Sequence, residues 1–390
     1  MITRQRVVTF GIPTLALSTI ALAAWLGPWA AGSLVNDKPS DVGVTQPTPV
    51  ADTGHQIDVV FAIDTTGSMG GLIDGAKRTV WSIATHIKQT DPSADVRIGL
   101  VAYRDFGDDY VTRDVPLTGD LDAAFAQLST FRAAGGGDVP EDIAAGLSDA
   151  LAMHWRDGAK KMVFIVGDTA PADRGEVPTL DVLARQAADR QISVNTIRCG
   201  EDLDTERSFS QIAQLGHGEF STIRQNGGVQ EIATPYDAKM AELSARLDHT
   251  AVIYAEPTAR GAYAVNMAAA AAAPAPAKAD RAAYYHAKGG KRAADDMLGE
   301  MAEGKMAIDG MDKAKLPTDM QGMGGAELKA EVDRRAADRK AAQKELDEVS
   351  KARDGYLKAQ EAAGDAGGGP GAFDAAVKKT VDRELSKSAK

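Results

Sequence analysis

Two stretches of this chain are apolar without a break, Val59-Val60-Phe61-Ala62-Ile63 and Met162-Val163-Phe164-Ile165-Val166. A strand with one wet face alternates apolar and polar residues, whereas a strand with no polar position is covered on both faces. Such strands need a sheet sandwiched between helices. The residues around them supply the rest by the same periodicity. Strands are expected at Ile57–Ile63, Val96–Tyr103, Val111–Leu117, Lys161–Val166, Ile192–Ile197 and Glu219–Ile223. Helices are expected at Leu72–Lys88, Asp122–Thr130, Glu141–His154, Leu180–Arg190, Ser208–Leu215 and Val229–Leu247. The short link between the second and third strands implies one antiparallel edge hairpin. The expected fold is α/β: a doubly wound, mostly parallel six-stranded sheet with helices on both faces, followed by a C-terminal α-helical tail.

Ligands of doubly wound sheets bind at the carboxyl ends of the strands, so the polar loops there carry the functional signal. The first is Asp64-Thr65-Thr66-Gly67-Ser68-Met69-Gly70-Gly71. Asp64, Thr66 and Ser68 alternate, and offer one carboxylate and two hydroxyls, an oxygen-only set suited to a hard cation such as Mg²⁺, Mn²⁺ or Ca²⁺. Ser68 equally suits the N-cap of the next helix. The second loop is Gly135-Gly136-Gly137-Asp138-Val139-Pro140-Glu141-Asp142, in which Asp138 can face the site. Glu141 and Asp142 read better as first-turn acids of the following helix. The third is Gly167-Asp168-Thr169-Ala170-Pro171, where Asp168 is either a ligand at the strand end or a plain turn residue.

Asp-x-Thr-x-Ser after the first strand, a Gly-rich acidic loop and a strand-end Asp, in that order, resemble the metal-ion-dependent adhesion site of von Willebrand factor A domains. Val101-Ala102-Tyr103-Arg104-Asp105-Phe106 and Gly135–Glu141 resemble the subgroup found with alpha-kinases and in bacterial exported proteins. The resemblance implies a divalent cation held by Asp64, Thr66, Ser68, Asp138 and Asp168, with an acidic side chain of a partner protein as its remaining ligand. Thr66 stands where serine is more frequent, which keeps the hydroxyl. Asp138 stands where the family has threonine; three carboxylates around one divalent ion would strengthen metal binding and weaken the grip on an acidic partner.

The rest of the chain frames this site. Arg4 and Arg6 precede an uncharged stretch from Val7 to Asn36, so residues 1–35 read as a secretory signal or an uncleaved membrane anchor. The following domain is then exported, to the periplasm or the cell surface. Residues 36–54 read as a linker, 55–250 as the domain, 251–279 as an Ala/Pro-rich linker and 280–390 as a helical tail. Leu328, Val332, Leu346, Val349 and Tyr356 form a rough stripe along the tail. That stripe suits a coiled coil with a second partner or another copy, a solvated single helix or a loose hairpin. A net charge of -11 argues against nucleic acid. The lone Cys199 excludes an internal disulfide and reads as a buried thiol at a strand end.

The expected function is an exported, metal-dependent protein-binding module for adhesion or assembly, without enzymatic activity. Two alternatives are a structural cell-envelope protein with a vestigial metal site and a metal-dependent hydrolase. Against the hydrolase, no second Asp stands two residues after Asp64, Ser68 lies in no Gly-x-Ser-x-Gly turn, and His86, His154, His217 and His249 are scattered.

Overall fold

The first strand, β1 (Gln56–Asp64), shows why both its faces are apolar. Ile57, Val59, Phe61 and Ile63 enter one hydrophobic core, while Val60 and Ala62 enter another on the opposite side. This period-two division is the strand geometry itself. In the computed structural model, residues 55–136, 141–172, 175–226, 233–362 and 373–387 are described. The signal or anchor and the linker expected before residue 55 lie outside them. No helix among the described residues is long and apolar enough to cross a membrane.

After β1 come α1 (Gly70–Thr90), β2 (Asp95–Tyr103), β3 (Thr112–Thr118), α2 (Leu121–Leu128), α3 (Ile143–Ala152), β4 (Lys160–Gly167), α4 (Leu180–Asp189), β5 (Ile192–Cys199), α5 (Leu203–Leu215) and β6 (His217–Ile223). The sheet order is β3-β2-β1-β4-β5-β6, with β3 antiparallel and the other neighbours parallel. The six-stranded α/β fold is as expected, edge hairpin included. Pro116 sits in β3, where an edge strand tolerates a missing N–H.

One face of the sheet is covered by α1 and α2, with Trp81 stacked on Phe125 at 4.2 Å. The other is covered by α3, α4 and α5 through Leu147, Leu183 and Phe209. At the amino end of β1, Asp58 is fully buried and held by Arg97 at 2.6 Å and Arg156 at 2.7 Å. Burial pushes its carboxyl up, but the hydrogen bonds from both arginines more than reverse that and leave it below the ordinary range.

The C-terminal part departs from the sequence reading. It runs through α6 (Asp237–Thr250), α7 (Pro257–Ala272), α8 (Ala275–Ala287), α9 (Met297–Ala302), α10 (Gly325–Ala362) and α11 (Phe373–Ser386). The segment read as an Ala/Pro-rich linker is mostly helix. Alanine is the strongest helix former, and Pro257 and Pro276 fall in first turns, where a missing N–H costs nothing. Nor is the tail stripe left for a partner strand of a coiled coil. Leu346 packs with Leu243 and Ala282, and Leu328 and Val332 pack with Met297 and Leu316.

Buried arginines seal these contacts. Arg281 of α8 joins Asp122 of α2 and Asp248 of α6, each at 2.7 Å. From α10, Arg339 meets Asp296 and Arg353 meets both Asp237 and Asp280, also at 2.7 Å. The last helix, α11, returns to the sheet, with Phe373 5.9 Å from Phe61 and Val377 and Val381 fully buried.

Candidate metal centre

Asp64 ends β1 beside Tyr103, the last residue of β2, and one step past the pair Ile63–Val166. Asp64 and Gly167-Asp168 therefore finish adjacent strands at the same level. Backbone hydrogen bonds stitch the loops beyond: Thr65 N–H donates to Tyr103 O (2.9 Å), Ala134 N–H to Thr65 O (3.1 Å) and Gly67 N–H to Gly135 O (3.3 Å). Close approach here needs glycine. Gly135 and Gly136 have φ of 77° and 75°, and a Cβ would strike the Asp108 carboxylate at the first and press on Thr66 at the second. Arg104, nearly buried, gives Nε to Thr65 O (3.2 Å) and Nη2 to Arg132 O (2.9 Å), with Nη1 3.9 Å from the Asp109 carboxylate.

Within this frame four of the expected side chains converge. Asp64 is fully buried, and its Oδ1 accepts from the Thr66 N–H (2.8 Å) and the Thr66 hydroxyl (2.7 Å). Ser68 Oγ lies 3.4 Å from Thr66 Oγ1. Ser68 does not cap α1: the N-cap position is Met69 and no side chain caps it. Asp168 extends from the end of β4 to meet the carboxyl group of Asp64, and its Oδ2 accepts from Gln225 Nε2 at 2.5 Å. Asp138 lies outside the described residues.

A third carboxylate reaches the same place. The sequence pairs Glu141 with Asp142 as first-turn acids, but the structure separates them. Asp142 is the N-cap of α3, accepting from Ala145 N–H at 2.9 Å. Glu141 precedes the helix, and its backbone is tied to the loop after β4, with its carbonyl accepting from Ala172 N–H at 2.8 Å. Its side chain, 2% exposed, turns in beside Gly136 and Thr66. The signal available in the sequence was that one cap needs only one acid.

The electrostatics are those of a carboxylate cluster short of positive charge. Buried without a hydrogen-bond partner are Asp64 Oδ2, Glu141 Oε2, Asp168 Oδ1 and Thr169 Oγ1. Among the described residues none of these three acids is paired with Lys, Arg or His, in contrast to Asp58, Asp122, Asp237 and Asp296. Burial pushes Asp64 up to about 7, against the pull of the Thr66 hydrogen bonds and with added repulsion from Asp168. Burial, then Asp64, Asp105, Asp108 and Asp168, push Glu141 up to about 8. Cys199, buried at the end of β5, is raised by burial and by Asp168 and Asp64, so its thiol stays protonated.

This donor set is chemically apt for a hard divalent cation: carboxylate and hydroxyl oxygens, three of the carboxylate oxygens lacking any donor. It is not a cluster of His, Cys, Asp and Glu alone; among the described residues no group of three or more of these is disposed to hold a metal. Hydroxyls complete it.

Comparison with known proteins bears on the domain that carries this site. The family model described as "von Willebrand factor A domain" matches residues 58–235. An alpha-protein kinase, vwkA of Dictyostelium discoideum, is 28% identical over 116 residues, 29% of this chain and 18% of the kinase. The von Willebrand factor A domain-containing protein 7 of Rattus norvegicus is 32% identical over 126 residues, 32% of this chain and 13% of that protein. The chain thus spans less than a fifth of either relative. Among solved structures, the vWA domain of SpRpn10 aligns over 44% of this chain and 89% of that one, with 14% identity and a TM-score of 0.34. Residues 58–235 of this chain are a von Willebrand factor A (vWA) domain.

Proposed function

We propose that this chain is a protein-binding module that grips its partner through a divalent cation, held by Asp64, Thr66, Ser68 and Asp168. One observation carries the reading. Asp64 Oδ2 and Asp168 Oδ1 are buried with no donor on either, where two carboxyl groups meet and no described basic side chain pairs with them. Repulsion of this kind calls for a cation between the groups, and the neighbouring hydroxyls supply the neutral ligands that Mg²⁺, Mn²⁺ or Ca²⁺ accepts. Neutral hydroxyls leave part of the ion's charge uncompensated, so a carboxylate offered by a partner protein can complete its shell. Asp138, which lies outside the described residues, is a further candidate ligand on its sequence position alone.

The basic residues Arg4 and Arg6 and the apolar stretch after them support an exported location, with residues 1–35 as signal or anchor. The domain would then act in adhesion or assembly outside the cytoplasm, and the cation there would be the abundant Mg²⁺ or Ca²⁺.

The test is capture of partner by the immobilised full chain from an envelope extract, with chelator and with Mg²⁺ restored. Capture that is lost with chelator, regained with Mg²⁺ and absent in Asp64→Ala supports the reading. Capture indifferent to both chelator and Asp64→Ala contradicts it.

A further inference from the structure

Six of the twelve methionines of the chain fall within residues 297–323, where the other large apolar residues are only Leu298, Ile308 and Leu316. The cores on the two faces of the sheet are built mainly from Val, Ile, Leu and Phe, whose side chains hold well-defined rotamers. Methionine fills space flexibly and specifies packing poorly, so packing alone does not account for this density of it. Met297 and Met320 are fully buried in a cluster with Leu316, Leu328 and Val332. Met301, Met306, Met311 and Met323 pack against that cluster while remaining partly exposed. The backbone gathers these four. Met301, Met306 and Met311 recur at intervals of five residues, and the chain turns between them at Gly304 and Gly310, with φ of 70° and 80°. The Asp312 N–H donates to the Tyr254 hydroxyl at 3.0 Å and Lys313 Nζ donates to Met323 O at 2.7 Å, so the turn that carries Met311 is tied to Met323. Five acids against three lysines in residues 297–323 make this a surface that favours a cation over an anion.

We propose that Met301, Met306, Met311 and Met323 form a thioether site for a soft monovalent cation, Cu(I). Thioether sulfurs are soft neutral donors that select Cu(I), whereas Mg²⁺ and Ca²⁺ prefer oxygen. The site is therefore separate in chemistry from the oxygen donors at the ends of β1 and β4, and it lies outside residues 58–235. The chain's single thiol, Cys199, is fully buried at the end of β5 and is not offered to an ion at the surface. Partial exposure of the four sulfur-bearing side chains gives the ion a way in, while buried Met297 and Met320 keep the floor beneath them apolar. A thioether carries no proton to lose, so Cu(I) uptake here does not weaken with acid as uptake by thiol or imidazole does.

The test is anaerobic titration of the full chain with Cu(I), kept reduced by ascorbate, in competition with the chromogenic chelator bicinchoninate. Beside it stand Cys199→Ser and a triple variant carrying Met301→Leu, Met306→Leu and Met311→Leu. Leucine conserves volume and removes the sulfur, so the cluster keeps its packing. The unaltered chain and Cys199→Ser should each withdraw a single Cu(I) from the chelator, as well at pH 5 as at pH 7, and the triple variant should bind it about a hundredfold more weakly or less. No withdrawal by the unaltered chain, withdrawal unchanged in the folded triple variant, or withdrawal abolished by Cys199→Ser overturns the proposal. If the triple variant does not fold, a crystal of the unaltered chain soaked in Ag(I), which shares the softness of Cu(I), decides. An anomalous peak bounded by the sulfurs of at least two of Met301, Met306, Met311 and Met323 is required, and a peak elsewhere or none at all overturns the assignment.

Discussion

Two aspartates on one strand are stabilised in opposite ways. Asp58, at the amino end of β1, is enclosed by arginines and held below the ordinary carboxylate range. A folded pKa below the unfolded value adds stability that is complete above about pH 4 and is lost as pH falls through the folded value. Asp58→Ala should cost about 3–5 kcal/mol at pH 7, because it strands two guanidinium groups, and the difference should shrink as pH falls below about 4; urea titrations at pH 7 and pH 3 check the direction. Asp64, at the carboxyl end, has hydrogen bonds on one oxygen only, none on the other, and feels the repulsion of Asp168. Without metal, Asp64→Asn should therefore melt no lower than the unaltered chain, since it removes repulsion, yet it should lose the metal response. A clear loss of metal-free stability, measured calorimetrically, would mean that Asp64 serves the fold and not the site.

Among the elements, how much could be read in the sequence depended on what each residue pattern encodes. β1 and β4 were legible because an unbroken apolar run has one solution, burial on both faces. Asp64, Thr66, Ser68 and Asp168 were legible because they follow such strands directly, and strand ends fix where a side chain can go. Glu141 was not, because its role turns on α3 starting at Ile143 and not two residues earlier, and boundaries are the least encoded feature of a helix. The run around Ala270 was misread because low complexity and high helix propensity look alike in composition. Phe373, Val377 and Val381 recur at four-residue spacing, as on one face of a helix, but spacing alone does not tell that the face lands on α1, β5 and β6. That landing has a measurable size. Phe373→Ala should cost about 3–5 kcal/mol, the usual loss for a buried aromatic, read as a fall in the urea midpoint. A change under about 1 kcal/mol would show that α11 is not part of the core.

On the scale of the whole molecule, the vWA domain and the helices after it share their hydrophobic interior. Tyr284, Tyr285, Phe373, Val377 and Val381 lie in the same cluster as Phe61, Trp81 and Phe125. Arg281 ties α2, α6 and α8 together from a fully buried position. A truncation ending at residue 250 uncovers the outer face of α1 and strips Arg281 and Tyr285 from Asp122. It should bind hydrophobic dye and melt broadly, whereas a chain from residue 55 to 387 should unfold in one sharp transition; equal cooperativity in the two would show that the helices after α6 are an independent body. For the same reason the proposed metal site is best assayed in a chain that retains these helices.

The central claim is that the carboxyl groups gathered at the end of β1 and β4 hold a divalent cation, and the most direct measurement is the thermal midpoint of the full chain with increasing Mg²⁺ or Mn²⁺, beside Asp64→Ala. A site with dissociation constant Kd adds RT ln(1 + [M]/Kd) to the folded state, about 2.7 kcal/mol at a hundredfold excess over Kd. The account predicts a saturable rise of several degrees in the unaltered chain and none in Asp64→Ala. An unaltered chain whose midpoint does not move with metal, or an Asp64→Ala chain whose midpoint rises equally, would contradict it.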